Sequence, residues 1–389
     1  MRSSVVRHPR SLFTLGVAMS LGAIIGCGSG ATEEREPTHL YTTARGGAFR
    51  VEVVVKHLEI PWSMAFTPDG RLLVTERPGR VRLIENGKLR PEPLLVIRDV
   101  AHVGEGGLMG LALDPQFAQN RFVYLAYTYR GPDGLANRVV RYREASGHLT
   151  DPHIVIDHIP GARFHDGCRI RFGPDGKLYI TTGDAIERQL AQDVNSLAGK
   201  ILRLNPDGTI PADNPFPHSP VYSYGHRNSQ GIDWHPVTGD LFSTEHGPSG
   251  FDAPGGGDEV NLIEAGKNYG WPVIHHRQRK EGMVSPLLEF TPAIAPAGAS
   301  FYRGHRLPEF TNDFFFATLR GRHIHRVVLK APDYRTIAFH ERLLQGEFGR
   351  LRDVVEGPDG ALYFCTSNRD GRGKPHPDDD RILRIVPAS

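Results

Sequence analysis

The chain has 389 residues, of which 23% are charged and 39% hydrophobic, the balance of a soluble globular protein. Its 44 Gly and 30 Pro are spread without a period, which calls for many turns and excludes collagen-like or low-complexity structure. The formal net charge of +2 becomes −1 once residues 1–26, with Arg2, Arg7 and Arg10, are removed, so charge makes no case for nucleic acid as a partner.

Those three arginines precede the apolar run LFTLGVAMSLGAII, too short and wrongly flanked for a membrane span. It ends in Ile24-Ile25-Gly26-Cys27, which resembles a bacterial lipobox. Residues 1–26 are therefore expected to be a lipoprotein signal peptide, with Cys27 as the lipidation site and 27–46 as a flexible tether. The plainer alternative is an ordinary signal peptide in which Cys27 is incidental. Lipidation would hold the protein to the membrane only through its anchor, on the periplasmic side of the cell envelope. Gly28 after the cysteine, in place of an Asp, favours the outer membrane. Cys168 and Cys365 are expected as two buried free thiols, about half a ring apart in the fold argued next and out of disulfide reach.

From residue 47 onward the chain reads as one repeat domain. WSMAFTPDGRLLVTER (62–77), CRIRFGPDGKLYITTGD (168–184) and RDVVEGPDGALYFCTSN (352–368) share the form strand, tight turn, strand. Each Pro-Asp-Gly supplies a fixed φ, a side chain able to bond the turn backbone, and a residue that accepts positive φ. Looser copies stand at 108–128, 231–247 and 299–321. Six such units with almost no helical periodicity predict an all-β six-bladed β-propeller of four-stranded antiparallel blades over 47–389. Ring closure should pair FRVEVVV (49–55) with DRILRIV (380–386).

The loops entering the inner strands of a propeller crowd one face of a central channel. In chain order they bring Glu105, then His165 and Asp166, then Arg227, Asn228 and Gln230 of GHRNSQG, and finally Arg350 and Arg352. Arg320 follows the inner hairpin of the fifth unit. A solvated turn or strand end is the ordinary reading of each residue alone. Several arginines on one cavity would repel unless an anion sits among them. EHGP (245–248) and the loop with Asp258 and Glu259 offer hard oxygen donors, which suit Ca²⁺ better than Zn²⁺. DDD (378–380) and HHRQRK (275–280) read as solvated loop charges.

GEGGLMGLALDPQFAQN, HDGCRIRFGPDGKLYITTGD, YSYGHRNSQG, TEHGP, GGDEVNLIEAGKNYGWP and GRLRDVVEGPDG together resemble the soluble PQQ-dependent glucose/sorbosone dehydrogenase family, particularly its bacterial aldose sugar dehydrogenases. The resemblance runs from about residue 60 to 386. It implies a six-bladed propeller that binds pyrroloquinoline quinone (PQQ), a tricarboxylate, together with Ca²⁺. By it His165 matches the general base that takes the anomeric hydroxyl proton while hydride leaves C1 for the quinone, and Arg227 matches the arginine at the reactive carbonyl. Asn228 and Gln230 match cofactor-orienting amides; Arg320, Arg350 and Arg352 match the residues that hold cofactor carboxylates. Gly247 and Pro248 match carbonyl ligands of the cofactor's Ca²⁺, and Glu259 with the Tyr269 backbone matches a second, structural Ca²⁺ site.

The sequence departs from the family at three places. Glu105 stands where some members of the family have Gln, adding a negative charge beside an anionic cofactor and leaving open whether it is protonated or offset by an arginine. Thr291 stands where the best-known glucose dehydrogenases have Trp, and Phe164 precedes His165, which together point to broad or unusual aldose specificity. The expected activity is oxidation of an aldose at C1 to the lactone, with electrons passed to an external acceptor, by a monomer or homodimer. Rival readings are a non-catalytic envelope propeller that binds a ligand, and a calcium-dependent lactonase-like hydrolase.

Overall fold

The computed structural model describes residues 39–249 and 252–388. The expected signal peptide, Cys27 and residues 28–38 of the expected tether lie outside the described residues. Apart from one four-residue helix, Phe117–Asn120, and two short 3₁₀ turns, the regular structure is antiparallel sheet. Six sheets follow one another along the chain, and their inner strands are Pro61–Phe66, Leu108–Leu113, Gly167–Phe172, Ser229–Trp234, Pro296–Phe301 and Leu351–Glu356. Each inner strand packs against the inner strands of the neighbouring sheets around one axis. The fold is the six-bladed β-propeller that the repeat predicts; four blades have four strands, and the first and last have a fifth.

Ala48–Val55 completes the last blade, with Val51 opposite Ile385, so the two ends of the domain close the ring as expected. The sheet also reaches into the segment read as tether. Leu40–Thr42 pairs with the closing strand, because Tyr41 stacks on Phe49 at 5.6 Å and gives this short piece an apolar anchor. A second expectation is corrected at the seam between the last and first blades. Asp379 and Asp380 are buried rather than solvated: Asp380 accepts the backbone N–H groups of Ile60 (3.2 Å) and Asn368 (2.6 Å). Those bonds offset the cost of burying the carboxylate.

The three Pro-Asp-Gly turns share the positive-φ glycine, and in the first of them Arg71 N donates to Thr67 Oγ1 at 3.0 Å in place of the Asp. Gly70, Gly176 and Gly360 take φ of +85°, +71° and +72°, and Asp175 and Asp359 each accept the N–H two residues on. Six apolar clusters fill the six seams between blades, so every blade is held by both neighbours. Cys168 and Cys365 are buried free thiols on the third and sixth blades.

One feature recurs in all six blades. The pairing register of the inner strand shifts at its entering end, between Pro61 and Ser63, Leu108 and Leu111, Gly167 and Ile170, Ser229 and Gly231, Pro296 and Ala299, and Leu351 and Asp353. A bulge re-aims the side chains around it. Trp62, Met109, Gln230 and Arg352, all at these bulges, line one cavity.

Candidate active site

That cavity has a volume of about 400 Å³ and is walled by the loops that enter the inner strands. Seven of the residues expected in catalysis or cofactor binding line it: Glu105, His165, Arg227, Gln230, Arg320, Arg350 and Arg352. Asn228 does not reach the wall. Its Oδ1 accepts from Gly167 N (3.1 Å) and Gln230 Nε2 (3.0 Å), so it orients Gln230 from behind.

His165 sits at the start of the third blade with φ of +63°, a conformation uncommon for any residue but glycine. Its Nδ1 lies 2.7 Å from Asp184 Oδ1, and Asp184 Oδ2 accepts the Trp271 indole N–H at 2.8 Å. Burial alone would raise the Asp184 carboxyl, but its hydrogen bond to His165 and the imidazole charge hold it below the usual carboxylate range. A carboxylate on Nδ1 fixes that nitrogen as the donor and leaves the basic lone pair on Nε2.

Arginines dominate the rest of the wall. Arg227 is buried, and its Nε and Nη2 donate to Asp252 Oδ2 at 3.0 and 2.6 Å. Asp252 also pairs with Arg188, so two guanidinium groups share one carboxylate. Arg352 donates from Nη1 to Gln230 Oε1 at 3.0 Å, yet its buried Nε has no partner. Burial, with Arg77 adjacent, lowers the Arg352 pKa to about 9. Arg77 donates to Gly104 O at 2.6 Å and likewise has a buried Nε without a partner. Arg350 pairs with Asp370 at 2.7 Å, and Arg320 is exposed on the wall.

The question left open at Glu105 is answered by Arg372, whose Nη1 lies 2.7 Å from Glu105 Oε1. Burial pushes the Glu105 carboxyl up, but His246, Arg372, His165 and Arg352 outweigh it and hold the group below its ordinary range. Two other wall carboxyls, Asp166 and Asp258, are pushed up to about 6, chiefly by burial. Unpaired buried guanidinium is costly. A cavity with six arginines, two of them holding orphaned nitrogens, is therefore built for a ligand with several negative charges.

The residues expected to hold metal are not on the wall. Gly247 and Pro248 lie behind it; Gly247 N donates at 2.9 Å to Asp258 Oδ1, which does line the cavity. Glu259 lies farther out, in a row of cross-strand carboxylates with Glu245 and Glu289 on its two sides. Burial and then the Glu245 charge push its carboxyl well up. The Tyr269 ring stacks on His226 at 4.7 Å, and His226 Nδ1 lies 2.8 Å from Glu245, so Tyr269 borders the same group. Among the described residues, no three His, Cys, Asp or Glu side chains form a metal cage.

Asp184, Arg77, His246 and Arg372 escaped the sequence reading. Three of these were legible. The offset that found Arg320, just past the second strand of a unit, also falls on Arg77, Asp184 and His246. Arg372 has no repeat position.

Comparison with known proteins places the chain in a family. A family model described as Glucose / Sorbosone dehydrogenase matches residues 58–383. A Thermus thermophilus structure described as a candidate oxidoreductase (glucose dehydrogenase) is 48% identical over 87% of this chain and all of its own, with a TM-score of 0.80. The PQQ-bound aldose sugar dehydrogenase of Streptomyces coelicolor is 38% identical over 86% of this chain and 97% of its own, with a TM-score of 0.77. Aldose sugar dehydrogenase YliI of Escherichia coli is 35% identical, over 82% of this chain and 91% of its length. By the family model's match over most of the chain and by these relatives, this chain belongs to the glucose/sorbosone dehydrogenase family and is a sugar-oxidising enzyme.

Proposed function

We propose that this protein oxidises aldoses at C1 to the corresponding lactones, using PQQ and Ca²⁺ and passing electrons to an external acceptor. The observation that carries the reading is the His165–Asp184 pair in a cavity walled by six arginines. The fit to PQQ rests on unmet charge: a tricarboxylate supplies acceptors for the orphaned Nε atoms of Arg77 and Arg352. When bound, PQQ supplies a two-electron acceptor for the hydride that leaves C1.

The chain's own residues do the rest. His165 Nε2 takes the proton of the anomeric hydroxyl, and Asp184 on Nδ1 stabilises the imidazolium that forms. The sugar thus loses one hydride from C1 and one proton from its hydroxyl, which leaves the lactone. Arg227, clamped by Asp252, presents a fixed positive charge to the site where charge develops. Arg350 and Arg352 hold carboxylates, and Gln230 is oriented by Asn228. Hard oxygens from Gly247, Pro248 and Asp258 suit Ca²⁺, a charge that would relieve the burial of Asp258. A second Ca²⁺ at Glu259 and Tyr269 would do the same for the Glu245–Glu259–Glu289 row. The envelope location and the lipid anchor at Cys27 belong to the same proposal.

The test is reconstitution. Purified protein stripped with chelator should reduce a dye in the presence of an aldose only when both PQQ and Ca²⁺ are restored. His165→Ala should lower kcat about a thousandfold while PQQ still binds. Dye reduction that ignores PQQ would sink the assignment.

A further inference from the structure

The Glu105–Arg372 contact joins residues 267 positions apart in sequence, from loops of the second and sixth blades. Both side chains line the cavity, with the arginine 54% and the carboxylate 24% exposed, so the bridge lies at the mouth rather than on the floor. The same guanidinium stands 5.5 Å from the centre of the Phe164 ring, and Phe164 immediately precedes His165. The two ends of the bridge are anchored as well. Glu105 N donates to Arg163 O at 2.8 Å, tying the second blade to the third. Arg372 N donates to Asp370 Oδ1 at 2.9 Å, and Asp370 pairs with Arg350. Arg77 of the first blade reaches Gly104 O at 2.6 Å, completing a polar belt across four consecutive blades.

We infer that Arg372 is a specificity-determining residue: its bridge to Glu105 and its contact with Phe164 close the mouth beside His165 and restrict the enzyme to monosaccharides. The inference rests on the aldose dehydrogenase reading. A pyranose whose anomeric hydroxyl reaches His165 lies in the cavity beneath that bridge. A second ring linked to the first must leave past the mouth, where the belt stands.

The test compares kcat/KM for maltose and glucose in wild-type holoenzyme, Arg372→Ala and Arg372→Lys. Arg372→Ala should raise the maltose-to-glucose ratio about tenfold, and Arg372→Lys, which keeps the charge, should raise it less. Both sugars are assayed at saturating PQQ, so a loss of cofactor affinity in Arg372→Ala cancels in the ratio, and a thermal midpoint within a degree or so of wild type separates a widened mouth from a collapsed cavity. An unchanged sugar ratio in a folded, PQQ-saturated variant overturns the inference and leaves the dehydrogenase standing. Wild-type protein that binds PQQ but oxidises no aldose overturns both.

Discussion

The two ends of the central channel are built from the same six inner strands and carry opposite chemistry. At the end where the strands leave, a cavity of about 600 Å³ is lined by Phe66, Phe172, Asp233, Arg303 and Glu356. Its charges answer one another. Asp233 meets Arg171 at 3.0 Å and Arg303 at 2.9 Å, and accepts Phe301 N at 2.7 Å. At the end where the strands enter, the cavity is smaller, yet Arg77 and Arg352 keep nitrogens without partners and Asp166 keeps an oxygen without one. Size therefore does not mark the site. Unmet charge does, because a protein keeps buried polar atoms unpaired chiefly where a ligand will pair them.

Three substitutions sharpen that contrast. The largest effect is expected at the satisfied end. Asp233→Ala should cost about 3 kcal/mol of stability in denaturant unfolding, because it strands two arginines, a figure at the low end since both reach solvent. PQQ affinity should not move; a large loss of affinity would mean that the two ends are coupled.

Asp166→Asn comes next and is read as a pH profile. The native state holds the Asp166 proton up to about pH 6 against an ordinary value of 3.8, so its favourable contribution is full below that value and is lost as pH rises through about 6. Asparagine removes the titration. The variant should be about 2 kcal/mol more stable than wild type at neutral pH and show a flatter profile between those limits. Equal slopes in the two proteins would place the charge elsewhere.

Arg352→Gln should have the smallest effect, weakening PQQ binding by about 1.5 kcal/mol, somewhat over tenfold in Kd, with thermal stability unchanged or improved. Improved stability is expected because the change removes a buried guanidinium whose Nε lacks a partner. A variant that loses stability and keeps its affinity would show that Arg352 serves the fold.

Much of the site was legible because the repeat supplies an offset. His165, Arg227 and Arg350 stand just before inner strands, and Arg320 just after an inner hairpin; the same logic, applied further, reaches Arg77, Asp184 and His246. Arg372 was not legible. It lies deep in the long connection between the second and third strands of its blade, well past the offset that locates Arg320, and nothing local ties it to Glu105. The acids at 378–380 misled for the reverse reason: a run of Asp looks solvated until the backbone donors of Ile60 and Asn368 arrive from across the seam.

By itself the sequence determined what is local and repeated: strand–turn–strand units with Pro-Asp-Gly chemistry, six of them, and the strand that closes the ring. Turn geometry depends on adjacent residues, and blade number on how many units the chain carries, so both are local properties of the chain. Tertiary structure alone decided which side chains meet. The four bulges that turn Trp62, Met109, Gln230 and Arg352 into one cavity arise from pairing between strands, and the bond between His165 and Asp184 spans 19 residues. Such contacts depend on how blades twist and pack around an axis, a property that no short stretch of chain carries.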